Sequence, residues 1–382
     1  MLRLTPLAPI TLLAAAALAG CGGSGGFDTR SAGPEPTTAS PQPTTSAPGG
    51  PTSPAPTTPV RSGPPRVIGT IARDLEVPWG VGFLPDGSAL VTERDSGRVV
   101  QVADGKVSEV GRIDQTRAEG ESGLLGLAVS PAYAEDKRVF VYTSTDRDNR
   151  VLRMRFDDGR LGKPQAILTG IPHGFIHDGG RLAFGPDGYL YVSTGETGRG
   201  DLAQRESSLG GKILRITQDG RPAPGNPDPD SPVWTLGHRN VQGLAFDDAG
   251  HLWASEFGQD TWDELNLIEK GTNYGWPEVE GRGSTARFRN PQVVWHTDEA
   301  SPSGLAFLDG RLWLASLHGE RLWRIDVDGR RATHPADFFV GEYGRMRTVV
   351  VAPDGNLWVT TSNRDGRGDP ASGDDRILLV RP

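Results

Sequence analysis

The chain has 382 residues, 48 acidic and 40 basic side chains, a net charge of −8 and one cysteine. That length holds one large domain or two small ones, and a single cysteine excludes a disulfide framework. The acidic balance argues against nucleic acid as a partner, because phosphate binding wants a basic face.

In chain order, Arg3 precedes an apolar run from Leu4 to Leu18, closed by Ala19, Gly20 and Cys21. A positive start, a short apolar stretch and a small-residue end read as a secretory signal over 1–21. The run is too short for an ordinary spanning helix. Cys21 sits as the cysteine of a bacterial lipobox does, where it is lipidated and becomes the new N-terminus. The expectation is a protein held by that lipid on the outer face of the cell membrane. Residues 22–65 are dominated by Gly, Pro, Ser and Thr. Such a segment cannot bury enough apolar surface to offset its ordering entropy and reads as a disordered, extended tether. Residues 66–382 remain as the folded domain.

From Arg66 onward one pattern recurs six times: an apolar run, a tight turn, a second apolar run and usually a third. Trp79–Phe83, Pro85-Asp86-Gly87 and Ala89–Val91 form the first unit. Later units turn at Ser130-Pro131, Pro186-Asp187-Gly188, Asp248-Ala249-Gly250, Asp309-Gly310 and Pro353-Asp354-Gly355. Asp-Gly marks a hairpin because both residues tolerate positive φ. The spacing, roughly 45–60 residues, is near that of propeller blades, and sustained helical periodicity is almost absent. An all-β, six-bladed propeller is predicted. In such a ring polar chemistry collects on end loops, so the residues just before each first strand and just after each second strand are the candidates.

His177 precedes the third unit's first strand and Glu196 follows its second, so the hairpin returns them to one end. A neutral imidazole is the usual base near pH 7, and a carboxylate can orient it; His173 is the nearby competitor. Arg345 and Arg347 bracket Met346, and alternation puts both on one side of the chain. Two guanidiniums there repel unless an anion lies between them. Glu121 and His318 occupy comparable loop positions. The stretch from Gly237 to Pro277 combines Arg239-Asn240 with an oxygen-rich turn at Gly258, Gln259, Asp260, Asp263 and Glu264. That mixture suits a planar anion and a hard cation such as calcium. Arg199-Gly200-Asp201, the glycine-rich run at Gly195 and the Asp326–Gly329 run carry no comparable signal, and zinc spacing and a nucleophile elbow are absent.

Six blocks in order resemble the soluble quinoprotein sugar dehydrogenases, also called aldose sugar dehydrogenases, which use pyrroloquinoline quinone (PQQ). They are GLLG at Gly123, HDGGRLAFGPDGYLYVSTGE at His177, LGGKILRI at Leu209, GHRNVQGLAF at Gly237, DELNLI with NYGWP from Asp263 to Pro277, and GRMRTVVVAPDG at Gly344. The resemblance runs from Val67 to about Val380. It implies a six-bladed propeller that oxidises aldose sugars at the anomeric carbon to lactones. His177 is then the base, Glu196 its orienting acid, and Glu121, Arg239, Asn240, His318, Arg345 and Arg347 the cofactor contacts. The carbonyls of Gly258 and Gln259 hold calcium, and Glu264 with the Tyr274 carbonyl resembles a second calcium site. Glu121 and His318 stand where some relatives carry glutamine and lysine, and a carboxylate facing an anionic ligand is unfavourable unless protonated or turned away. The implied partners are aldoses and an electron acceptor, a membrane respiratory carrier, with the membrane reached only through the lipid anchor. A propeller lactonase and a non-catalytic envelope lipoprotein that binds sugars or partners are the alternatives.

Overall fold

The computed structural model describes residues 63–382; the leader, Cys21 and nearly all of the tether lie outside them. The described chain forms six antiparallel sheets of four strands, one with a short fifth strand. Blade 1 runs from Pro78 to Arg112, blade 2 from Leu124 to Ile171, and blade 3 from Gly179 to Leu236. Blade 4 runs from Val241 to His296 and blade 5 from Pro302 to Phe338. Blade 6 takes three strands from Met346 to Arg381 and its fourth, Arg66–Ala72, from the start of the domain. That strand pairs antiparallel with Ile377–Arg381, so the two ends of the domain clasp the ring. The fold is the predicted all-β propeller, with only two four-residue helices among the described residues.

The hairpins form where the Pro-Asp-Gly signals stand, by a division of labour the sequence reading did not anticipate. In the Pro85-Asp86-Gly87 turn of blade 1 only Gly87 takes positive φ, at 86°. Asp86 instead accepts the Ser88 N–H at 2.9 Å, the local bond that makes aspartate a turn residue. Among the six turns named from the sequence, Asp309-Gly310 alone has an Asp-Gly pair with both residues at positive φ, 52° and 74°.

Second strands such as Ala89–Glu93, Leu190–Thr194 and Leu252–Glu256 are buried at every position. Their apolar residues form six clusters, one at each joint between neighbouring blades. Trp253 and Trp313, at most 1% exposed, fill two of these joints. All six first strands slip register near their N-terminal ends. A bulge breaks the ladder and re-aims side chains, and here six of them ring one mouth of the propeller. The axis itself is plugged by Arg181, whose guanidinium donates to the Gln242 carbonyl and Thr348 Oγ1 and lies 4.1 Å from the Trp79 ring centre.

Candidate active site

A cavity of about 310 Å³ opens at the bulged mouth. Blade 3 supplies a histidine–carboxylate pair. Gly179 pairs with Thr194, which carries the flanking residues together, and His177 Nδ1 lies 2.5 Å from Glu196 Oε1. Glu196 is 2% exposed. With Nδ1–H donated to that carboxylate, Nε2 keeps a lone pair, the form a base needs. His177 sits at φ 58°, and its carbonyl would lie 1.7 Å from a Cβ at position 195. Gly195 is therefore required for the chain to pass. Blade 4 locks the dyad from the side: Glu196 N–H donates to the Arg239 carbonyl at 2.9 Å, and Gly179 N–H to Asn240 Oδ1 at 3.0 Å. The neighbouring His238 also meets a carboxylate, Glu256, at 2.8 Å. Its other nitrogen is taken by Thr235 Oγ1 and it is fully buried, so it cannot act as a base.

Five arginines line the cavity: Arg94, Arg239, Arg345, Arg347 and Arg367. The expected anion between Arg345 and Arg347 is Asp365, whose Oδ2 receives both guanidiniums at 3.0 and 3.1 Å. Burial pushes Arg347 down to about 10. Burial also opposes ionisation of Asp365, but the two guanidiniums prevail and hold its carboxyl below the usual range. Arg239 has no carboxylate within 4 Å among the described residues, and its buried Nε has no hydrogen-bond partner. Its guanidinium reaches only the Phe257 carbonyl, at 3.3 Å, and the Trp276 ring, at 5.4 Å.

Glu121 lines the cavity with both carboxylate oxygens engaged. Oε2 accepts the His177 N–H at 2.9 Å and Oε1 pairs with Arg367 at 2.8 Å. Burial works against its charge, yet these two partners keep its carboxyl below the usual range. His318 lines the cavity and is exposed. His173 does not line it.

Gly258 and Gln259 line the cavity beside Asp263. Burial pushes Asp263 up to about 7, although Gly258 N–H and Ser301 N–H both donate to it. Glu264 and Tyr274 are not part of the cavity wall. Glu264 accepts from Gly281 N–H at 2.7 Å and Asn266 at 2.9 Å, and burial followed by nearby Glu256 pushes it up to about 8. The Tyr274 hydroxyl donates to the Leu267 carbonyl at 2.7 Å. Among the described residues, three or more His, Cys, Asp or Glu side chains nowhere gather to hold a metal.

The sequence reading missed Arg94, Asp365 and Arg367 as site residues. Arg94 and Asp365 were findable: each follows the second strand of its blade, as Glu196 does. Arg367 has no such marker, because its loop shows no period.

Fold and site together define a six-bladed propeller with a histidine–glutamate pair facing a cationic cavity. A family model for glucose / sorbosone dehydrogenases matches residues 75–379. The PQQ-bound aldose sugar dehydrogenase from Streptomyces coelicolor is 52% identical, with a TM-score of 0.82 over 85% of this chain and 99% of that one. Aldose sugar dehydrogenase YliI of Escherichia coli is 28% identical over 76% of this chain and 89% of its own length. Quinoprotein glucose dehydrogenase B of Acinetobacter calcoaceticus is 34% identical over 55% and 52%. The chain belongs to the glucose / sorbosone dehydrogenase family and is an oxidoreductase acting on sugars. Membership weighs against both alternatives, the lactonase and the binding lipoprotein.

Proposed function

We propose that the protein oxidises aldoses at the anomeric carbon to lactones, with PQQ as electron acceptor and calcium beside it. The observation that carries this reading is the His177–Glu196 pair facing a cavity in which Arg239 offers an unpartnered donor. A tricarboxylate such as PQQ fits that donor set: Arg239 is uncommitted, and Arg345 and Arg347 share one carboxylate between two guanidiniums. Asn240 and His318 complete the proposed contacts. The carbonyls of Gly258 and Gln259 suit a hard cation, which takes neutral oxygen readily. Bound there, the quinone would accept the hydride while calcium polarised its oxygen.

The chain's own part is to position and to move a proton. His177 Nε2 takes the proton of the anomeric hydroxyl, and Glu196 holds the ring and stabilises its charged form. Glu121 fixes the His177 main chain, and Arg367 cancels its charge. For residues 1–65 we propose the lipid anchor at Cys21 and the extended tether, which would present this mouth to a membrane electron carrier.

Purified full chain supplied with PQQ and calcium is expected to reduce an artificial acceptor when given aldoses. His177→Ala should lower kcat by about 10²–10⁴-fold and leave quinone affinity, read by titration, within a few-fold of wild type. Activity surviving that change would remove His177 as the base.

A further inference from the structure

Five consecutive main-chain N–H groups, from Gly258 to Trp262, end on two carboxylates. Asp263 Oδ1 accepts the first at 2.9 Å. Glu280 Oε1 alone accepts the next four, from Gln259 at 2.7 Å, Asp260 at 3.1 Å, Thr261 at 3.0 Å and Trp262 at 3.0 Å. Successive amides turned inward form a concave nest for an anion, and here the anion is the chain's own side chain. Burial resists the charge on Glu280, but the four amides hold its carboxyl below the usual range.

A trans peptide points its carbonyl opposite to its N–H. The Gly258 carbonyl shares a peptide with the Gln259 N–H, and the Gln259 carbonyl shares one with the Asp260 N–H. Both N–H groups point at Glu280, so both carbonyls point away from it. The two residues that bear them line the cavity.

We propose that Glu280 is a positioning residue that aims the Gly258 and Gln259 carbonyl oxygens at a divalent cation, shaping the cation site before the ion arrives. The inference rests on the calcium reading above and deepens it. Calcium oxygens must lie at about 2.3–2.6 Å, so two carbonyls on a free loop would first have to be ordered. With Glu280 in place they are ordered by four hydrogen bonds to an anion, the stronger kind.

The test is calcium titration of the full-length, quinone-free protein by calorimetry, with thermal unfolding measured on the same samples. Removing an outer partner that orients ligands lowers metal affinity by about 10–100-fold, and Glu280→Ala is expected to fall in that range. Glu280→Gln keeps an acceptor oxygen at the same reach and should recover part of the loss while staying below wild type. If wild type binds calcium and both variants bind it equally well, the positioning role is overturned and the calcium site stands. If wild type binds none, the calcium reading fails and takes this inference with it. A variant that only loosens the turn would lower the melting temperature and leave calcium affinity unchanged, which also counts against the proposal.

Discussion

Asp178 follows His177 directly but serves the interior. Its Oδ1 accepts from Asn149 at 2.8 Å and Gly174 N–H at 3.1 Å, while its buried Oδ2 has no partner. Burial raises this carboxyl from 3.8 to about 7. Between those values the folded chain keeps a proton that the unfolded chain has released. The stability Asp178 contributes is therefore full below about pH 4 and is lost as pH rises toward 7. Asp178→Asn should match wild type near pH 4 and exceed it at pH 8 by about 2–4 kcal/mol, read from urea unfolding at the two pH values. Equal stability at both would mean that Asp178 is ionised in the folded protein. No pattern marked this residue, because its environment comes from blade 2, almost thirty positions upstream in the case of Asn149.

At the scale of elements, the blade 3 hairpin shows what was legible and what was not. Its Pro186-Asp187-Gly188 turn and the flanking apolar runs are local signals, so strands, turn and the shared end of His177 and Glu196 could be read directly. The same local logic placed Glu121, Arg239, Arg345 and His318 at one mouth. Glu264 and Tyr274, expected beside a cation, lie outside the cavity wall, and the reading overlooked Asp365 and Glu280, whose partners come from a different strand or loop. Gly195 belongs to the legible part as a residue and to the hidden part as a contact. A methyl there would meet the His177 carbonyl oxygen at 1.7 Å, so Gly195→Ala must push the two segments of the hairpin apart. Overpacking of this kind costs about 1–3 kcal/mol or more, and a displacement near 1 Å in a catalytic group can cost about 100-fold in rate. The variant is expected to melt earlier and to lose sugar oxidation even with saturating cofactor. Full activity would show that the dyad tolerates a wider hairpin.

For the whole molecule, the clasp between Arg66–Ala72 and Ile377–Arg381 decides whether the ring is closed. Without the first strand, blade 6 ends in an unpaired edge, and open edges recruit other chains. A chain beginning after Ala72 should unfold at lower temperature and self-associate, as seen by light scattering. One beginning at Gly63 should remain monodisperse and as stable as the full chain. The repeat count foretold the ring but not this seam, since counting hairpins does not say which blade is shared. The seam also sets an order of events. Arg66–Ala72 is made among the first parts of the domain and its mate is made last, so throughout synthesis the nascent arc has two sticky flanks and no way to shut. Completion waits on the final few residues, and a chain cut short by even one strand stays an open arc for good.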